Sequence, residues 1–347
     1  MKKEARSATL YRAYRPATFD EVRGQGHVVD VLEKEVKNKK PAHAYLFSGG
    51  RGTGKTSVAR ILAHELGVSD KDLYEIDAAS NRGIDDIRLL REGVYAMPFE
   101  SPYKFYIIDE AHMLTKEAWN AFLKTLEEPP AHCIFVLATT DRDRVPETIQ
   151  SRCEMYTFKQ PTRTMLADTV ADIAKKEGYM LERSAAELVA LLAEGSFRDA
   201  LSILQKVLAV TSDKKIDVAE VETVSGAPRG ELVRQLLSAI AKQDASGALS
   251  VVATTTEENM DARVLIRLLI HRMRVVLLLR YAPDLARSFS RELTEADLAL
   301  AQELSKEAGV NSDTLKALLE AHSHMAYAAV PYLPLELAVI DICAAKK

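Results

Sequence analysis

The segment Gly49-Gly50-Arg51-Gly52-Thr53-Gly54-Lys55-Thr56 constrains this chain more than any other. It fills the pattern G-x-x-x-x-G-K-[ST] and stands between the β-rich run Ala44-Tyr45-Leu46-Phe47 and a helical run, the context that makes the pattern a phosphate-binding loop. The glycines let backbone N–H groups turn toward phosphate oxygens, where a Cβ would be strained or in the way. Lys55 supplies a point charge for β- and γ-phosphates, and Thr56 offers a hydroxyl to Mg²⁺. The helix that starts there, with Ser57 in its first turn, adds its positive dipole. The plain alternative is a glycine-rich turn with a chance lysine, which the flanking elements disfavour.

Four more β-rich runs follow: Leu73-Tyr74-Glu75-Ile76, Phe105-Tyr106-Ile107-Ile108, Ile134-Phe135-Val136-Leu137 and Met155-Tyr156-Thr157-Phe158. They alternate with helical patterns, so the expected fold is α/β, a parallel sheet covered by helices on both faces. Ligands of such sheets sit beyond the carboxyl ends of the strands. Ser48, Asp77, Asp109 and Thr139-Thr140 mark those ends. Asp109 and Glu110 close an apolar run 54 residues beyond Lys55. Asp109 suits the Mg²⁺ shell, and Glu110 can orient and polarise an attacking water, so the pair implies hydrolysis.

A hydroxyl of Thr139-Thr140, which ends the next β-rich run, can sense the γ-phosphate or fix the water; a simple strand-end turn is the equal alternative. Arg152, in Ser151-Arg152-Cys153, and Arg198, in Gly195-Ser196-Phe197-Arg198, can stabilise charge on a phosphoryl group in flight. By residue type alone each arginine is more often a solvated surface residue. Trp119, Phe122, Leu123 and Leu126 fall at helical spacing and read as core, while His112 and Cys133 are assigned no chemistry. Asp109-Glu110-Ala111-His112 also spells the box of a helicase family, but the chain lacks the two tandem sheet domains that reading needs.

With 347 residues, two or three domains are expected, and 46 basic against 50 acidic residues leave a net charge of −4. A polyanion partner must therefore meet a local basic surface. Three scattered cysteines fit neither a disulfide framework nor a zinc cluster, residues 1–6 are charged, and the most apolar tract, 264–281, carries too many charges to span a membrane. A reducing cytoplasm is the expected setting. After Pro161 helices dominate. Leu188, Leu191 and Leu192, then Leu201, Leu204 and Leu208, read as buried stripes of a small helical domain, and Arg267, His271 and Arg274 as one polar helix face. The break Ser225-Gly226-Ala227-Pro228 precedes a helical bundle. The domains are thus expected at 1–160, 161–225 and 226–347.

With these residues in hand, the chain resembles the bacterial DNA polymerase III gamma/tau family, the clamp-loader ATPases of the AAA+ superfamily. The resemblance is carried by Tyr14-Arg15-Pro16, Phe19, Gly24-Gln25, 42–49, the loop, Glu75-Ile76-Asp77-Ala78-Ala79-Ser80, 108–114, Leu126-Glu127-Glu128-Pro129-Pro130, Ala138-Thr139-Thr140 and Ser151-Arg152-Cys153. It is good over about residues 8–225; the last third matches as a helical region of suitable length. It implies a P-loop AAA+ sheet domain, a helical lid and a C-terminal helical collar that joins subunits. It further implies that Arg152 is an arginine finger reaching the neighbouring subunit's ATP, Thr140 is sensor 1 and Arg198 is sensor 2. Tyr11, Arg12, Arg15, Val22 and Gly24 would surround the adenine.

The family opens a sliding clamp with ATP and loads it on primer-template DNA, within a ring that includes delta-type and delta-prime-type subunits. Arg82 and Arg88 are the candidate DNA-phosphate contacts, weighed equally against an exposed helix face offset by Asp85 and Asp86. Two departures stand out. Family members usually carry a four-cysteine zinc module before the second strand, yet here only Glu65 to Asp72 intervene, so no zinc is expected. The chain also lacks the long tail of the tau form, which favours a gamma-like loader over an organiser of the polymerase core. The alternatives are a replication factor C small-subunit type of loader, which usually has Asn at the position of Thr140, and a ring member that does not hydrolyse ATP.

Overall fold

A computed structural model of the chain describes residues 9–284, 294–307 and 309–344. The charged start at 1–6 and the last residues, 345–347, lie outside them. All five β-rich runs form strands: β1 (Ala44–Gly49), β2 (Leu73–Asp77), β3 (Lys104–Asp109), β4 (Cys133–Thr139) and β5 (Glu154–Phe158). They build one parallel sheet in the order β2-β3-β4-β1-β5. Strand residues alternate between two cores because successive side chains point to opposite faces. Ala44, Leu46, Tyr106, Ile108, Phe135 and Leu137 pack with Trp119, Phe122 and Leu126 on one face. Tyr45, Phe47, Phe105, Ile107, Ile134 and Val136 pack with Val58, Ile61 and Leu62 on the other. Burial on both faces explains why β1, β3 and β4 read as nearly unbroken apolar runs.

Contacts divide the chain into two compact units. Described residues up to Leu166, with Ala193–Ser202, form the first; Ala167–Leu192 and the described residues from Ile203 onward form the second. In the second unit six helices share a core: Gly230–Ala241, Ala245–Glu257, Ala262–Tyr281, Glu295–Leu304, Ser312–His324 and Leu333–Ala344. Val233, Leu265, Leu269, Leu318 and Val339 are among its buried side chains. Among the described residues, no helix is long and apolar enough to cross a membrane.

Three sequence expectations shift here. His271 is buried, not part of an exposed face with Arg267 and Arg274, because the Ala262–Tyr281 helix packs against three other helices. Arg272 is held inside by Asp297 at 2.9 Å and by the Gly230 carbonyl at 3.0 Å. In the Arg183–Leu192 helix the small residues Ala185, Ala186, Val189 and Ala190 form the buried stripe, and Leu188, Leu191 and Leu192 pack half-buried against the helical core. Leu201 and Leu204 are buried as expected, but the stripe continues through Val207 instead of Leu208.

The link from the loop's helix to β2 ends at Asp72, a fully buried carboxylate. It accepts the backbone N–H groups of Phe99 at 2.6 Å, Glu100 at 2.9 Å and Ser101 at 2.9 Å. Burial raises a carboxyl's pKa, but these donors and the Ser101 hydroxyl outweigh it and hold Asp72 at about 2. Asp72→Ala should cost about 1–3 kcal/mol in urea unfolding, because it strands buried donors. Since the folded value lies below the ordinary 3.8, the stabilisation is present above that pH and fades as pH falls toward 2. Wild type and Asp72→Ala should therefore converge in stability at the acid end.

Candidate nucleotide-binding site

Parallel pairing places the loop after β1, Asp109 at the end of β3 and Thr140 after β4 at one edge of the sheet, with Ser48 level with Thr139. The loop owes its path to its glycines. Gly49, Gly52 and Gly54 have φ of 150°, 69° and 103°. A Cβ on Gly52 would stand 2.1 Å from Ser196 Oγ, and the Gly52 carbonyl accepts the Phe197 N–H at 3.0 Å. Thr53 is buried and its hydroxyl donates to the Gly50 carbonyl at 2.9 Å, whereas Arg51 is exposed.

Lys55, at the start of the Lys55–Glu65 helix, is buried and donates to the Gly49 and Gly50 carbonyls at 2.7 and 2.8 Å. Burial lowers its pKa, which Glu110 and Asp109 oppose and Arg198 reinforces. Ser57 lies half-buried in the same first turn.

Thr56 Oγ1 donates to Asp109 Oδ2 at 2.9 Å, which brings a hydroxyl and a carboxylate oxygen together as an all-oxygen pair suited to a hard cation. Among the described residues, no group of three or more His, Cys, Asp or Glu side chains gathers at metal-binding distance. Glu110 stands in the left-handed region at φ 48°, a conformation that costs an L-residue roughly 1–2 kcal/mol. Its N–H donates to Asp109 Oδ1 at 3.0 Å, and its Oε2 accepts the Thr140 hydroxyl at 2.9 Å.

A cluster of cations reaches Lys55 through Arg198. The Arg12 and Arg198 guanidinium carbons lie 5.8 and 5.6 Å from the Tyr11 ring centre, within cation–π range. The Tyr11 pKa is lowered by its hydrogen bond with Thr9 and by the Arg12 charge. That of Arg15 is lowered by burial and by Arg60, with Glu75 opposing and Arg198 and Arg12 adding to it. Val22 packs half-buried at the edge of the core, and a Cβ on Gly24, whose φ is 78°, would meet Met165 Sδ at 2.7 Å. The structure therefore brings together Tyr11, Arg12, Arg15 and Arg198 near Lys55.

Arg152, Arg82 and Arg88 stand apart from this group. Arg152 precedes β5, which pairs Glu154 with Tyr45 and Phe158 with Gly49. Arg152 is thus at the amino ends of the strands, while the loop is at the carboxyl ends, a sheet length of about 13 Å away. Its guanidinium donates to Glu127 Oε1 and to the Thr148 carbonyl, both at 2.7 Å. Arg82 is exposed before the Ile84–Val94 helix, and Arg88 pairs with Asp85 at 3.1 Å. Asp86 accepts the Gly83 N–H at the helix start, so it caps more than it offsets charge. The thiols of Cys133 and Cys153 are pushed up to about 11 and 12 by burial.

Two positioning residues escaped the sequence reading. Gln25 is fully buried, donates to the Lys159 carbonyl at 2.7 Å and the Thr53 carbonyl at 3.4 Å, and accepts the Lys159 N–H at 3.1 Å. It ties the loop to the end of β5. Ser196, buried under Gly52, accepts the Asp199 N–H at 3.1 Å. Gln25 lies in the quoted Gly24-Gln25 pair, so its position was visible, but its partners are distant in sequence.

The fold and this site define an AAA+ nucleotide-binding protein. The profile described as DNA polymerase III, delta subunit matches residues 24–80 and 68–162. The ATPase lid domain of the DNA polymerase III clamp loader subunit matches 166–213, and domain III of subunits gamma and tau matches 216–347. DNA polymerase III subunit tau of Bacillus subtilis (strain 168) is 36% identical over 96% of this chain and 63% of its own length. The gamma/tau subunit of Mycobacterium tuberculosis (H37Rv) is 38% identical over 80% of this chain and 52% of its own length. The RuvB Holliday junction branch migration motor of Thermotoga maritima shares the fold, with a TM-score of 0.53 at 23% identity over 65% of this chain and 79% of its own. The chain belongs to the gamma/tau family of DNA polymerase III subunits, and it spans between about half and two thirds of the length of these two relatives.

Gly52→Ala tests the loop geometry. Both φ and the Ser196 contact oppose a methyl group, so ATP affinity should fall at least tenfold by fluorescent-nucleotide titration, and urea unfolding of the sheet unit should show a loss of about 1 kcal/mol or more.

Proposed function

We propose that this chain is an ATP-hydrolysing clamp-loader subunit working in the cytoplasm within a hetero-oligomeric ring of delta-type and delta-prime-type partners. The ring opens the sliding clamp and loads it on primer-template DNA. Residues 1–160 act as the motor, 161–225 as its lid and 226–347 as the collar, with the DNA polymerase III core as a further partner. The observation that carries this reading is the position of Arg152 at the opposite end of the sheet from its own loop. A cation held there serves a triphosphate on a neighbour, so hydrolysis and assembly depend on each other.

Within one subunit, Tyr11, Arg12, Arg15, Val22 and Gly24 would enclose the adenine, and 49–57 the phosphates. Thr56 and Asp109 would hold Mg²⁺, which when bound neutralises charge on the β- and γ-phosphate oxygens. Thr140 fixes the Glu110 carboxylate. Glu110 takes a proton from water as the water oxygen bonds to the γ-phosphorus and the bond to the β–γ bridging oxygen breaks, giving ADP and phosphate. Arg198 contacts its own nucleotide and Arg152 the neighbour's. The Thr140–Glu110 and Thr56–Asp109 contacts favour this reading over a ring member that does not hydrolyse ATP.

Turnover is best measured with partner subunits, clamp and primed DNA. Lys55→Ala should lose nucleotide binding, while Glu110→Gln should keep it and slow hydrolysis by about 10²–10⁴. Arg152→Ala should slow the assembled ring by about 10³–10⁵ and leave the isolated chain's basal rate unchanged. Full-speed turnover by a ring of Arg152→Ala subunits would refute the proposal.

DNA binding should weaken linearly in log–log plots against salt. Arg82→Ala and Arg88→Ala should each reduce that slope by about one, if each neutralises one phosphate. An unchanged slope would assign them to the exposed helix face.

A further inference from the structure

His112 received no chemistry from the sequence, yet its surroundings give it one. It follows Glu110 on the 3-10 turn Ala111–Met113, and its side chain is only 10% exposed. Its Nδ1 lies 3.0 Å from Thr139 Oγ1 and 3.5 Å from Glu110 Oε2. Thr139 is fully buried at the end of β4, level with Ser48 of the strand that carries the phosphate loop. The anchor is therefore part of the sheet and cannot follow a moving side chain.

Proton accounting identifies the donor. The Thr139 hydroxyl lies 2.9 Å from the Asp141 carbonyl, which has no proton to give, so the hydroxyl donates there. The Asp141 N–H donates back to Thr139 Oγ1 at 3.0 Å. The lone pair that remains can only accept. All three contacts are satisfied together only when His112 Nδ1 carries a proton. The same Nδ1–H stands beside Glu110 Oε2, the oxygen that accepts from Thr140. At 3.5 Å the second contact is electrostatic rather than a hydrogen bond, but its sign holds Oε2 in place.

We propose that His112 is a positioning residue for Glu110. Its Nδ1–H, fixed by Thr139, and the Thr140 hydroxyl pin Oε2 from two sides, and Oε1 is left to take the proton of the attacking water. Glu110 occupies a strained left-handed backbone position, which fixes where its side chain leaves the chain, and the two contacts at Oε2 set where the carboxylate ends. This inference rests on the reading of Glu110 as the base.

The test is steady-state turnover by the assembled ring, with nucleotide titration alongside. His112→Ala should lower kcat about 10- to 100-fold, the scale of a misdirected catalytic group, and leave KM for ATP and nucleotide affinity within about twofold. Asn carries its amide nitrogen where Nδ1 stood, and Gln carries it where Nε2 stood. His112→Asn should therefore recover most of kcat, and His112→Gln should not. In a Glu110→Gln background, His112→Ala should change nothing further. ¹⁵N NMR of the ring should show a protonated Nδ1.

If Glu110→Gln abolishes turnover while His112→Ala keeps the wild-type kcat, the positioning role is wrong and the base reading survives. Retained turnover in Glu110→Gln would remove the base reading itself. Should His112→Ala fail to fold by thermal melting, the Asn and Gln variants decide, and equal rates for the two overturn the inference.

Discussion

The parallel pairing of β3, β4 and β1 is the constraint on which the rest of this molecule depends. Three buried strands in that order bring Asp109, Thr139 and Gly49 to the same edge, with registers of Ile108 to Leu137 and Ser48 to Thr139. Adjacent β3 and β4, about 4.8 Å apart, set the Thr140 hydroxyl within reach of the Glu110 carboxylate, while the helix after β1 carries Thr56 to Asp109. Thr56–Asp109 and Thr140–Glu110 hydrogen bonds follow from this arrangement. The cost of the left-handed turn at Glu110 is offset by the two apolar cores that hold the strands.

The same pairing separates what the edge can do alone from what it cannot. Carboxylates and a lysine share the carboxyl end, with Arg198, Arg12 and Arg15 gathered around Tyr11. Burial lowers the pKa of Arg15, with Arg60, Arg198 and Arg12 adding to it, and burial lowers that of Lys55, with Arg198 adding to it. Arg152 sits at the far end of the strands, where Glu127 and the Thr148 carbonyl hold its guanidinium. Two hydrogen bonds to different partners set the direction of its planar fork at this exposed site. A cation held at this outer edge is the feature on which the proposed ring assembly rests.

Much of this was legible in the sequence because it rests on local rules. Glycine spacing, β-rich runs of five or so residues and polar strand ends all report on their own neighbourhoods, and the five strands fell where those runs lie. The misses share another cause. Gln25 reaches Thr53 and Lys159, and His112 reaches Thr139, across sequence gaps that no periodicity records. A buried alanine stripe in the Arg183–Leu192 helix displaced the leucines because a close-packed face needs small residues, whereas spacing alone favours the largest apolar ones. His271 looked polar by type but is enclosed by neighbouring helices, a tertiary fact.

The connection before β2 shows how little chain the sheet needs at that side. After the Lys55–Glu65 helix, Gly67 takes a φ of 78°, and the N–H groups of Gly67 and Val68 return to the carbonyls of His64 and Ala63. Val68 then buries its side chain in the core beside Leu62, and Asp72 gathers three backbone donors from the segment that enters β3. The Phe105 N–H donates in turn to the Asp72 carbonyl. A glycine cap, one apolar anchor and one buried carboxylate thus close the corner. Each acts on backbone groups that would otherwise be left without partners, which is why so short a link can replace a longer one.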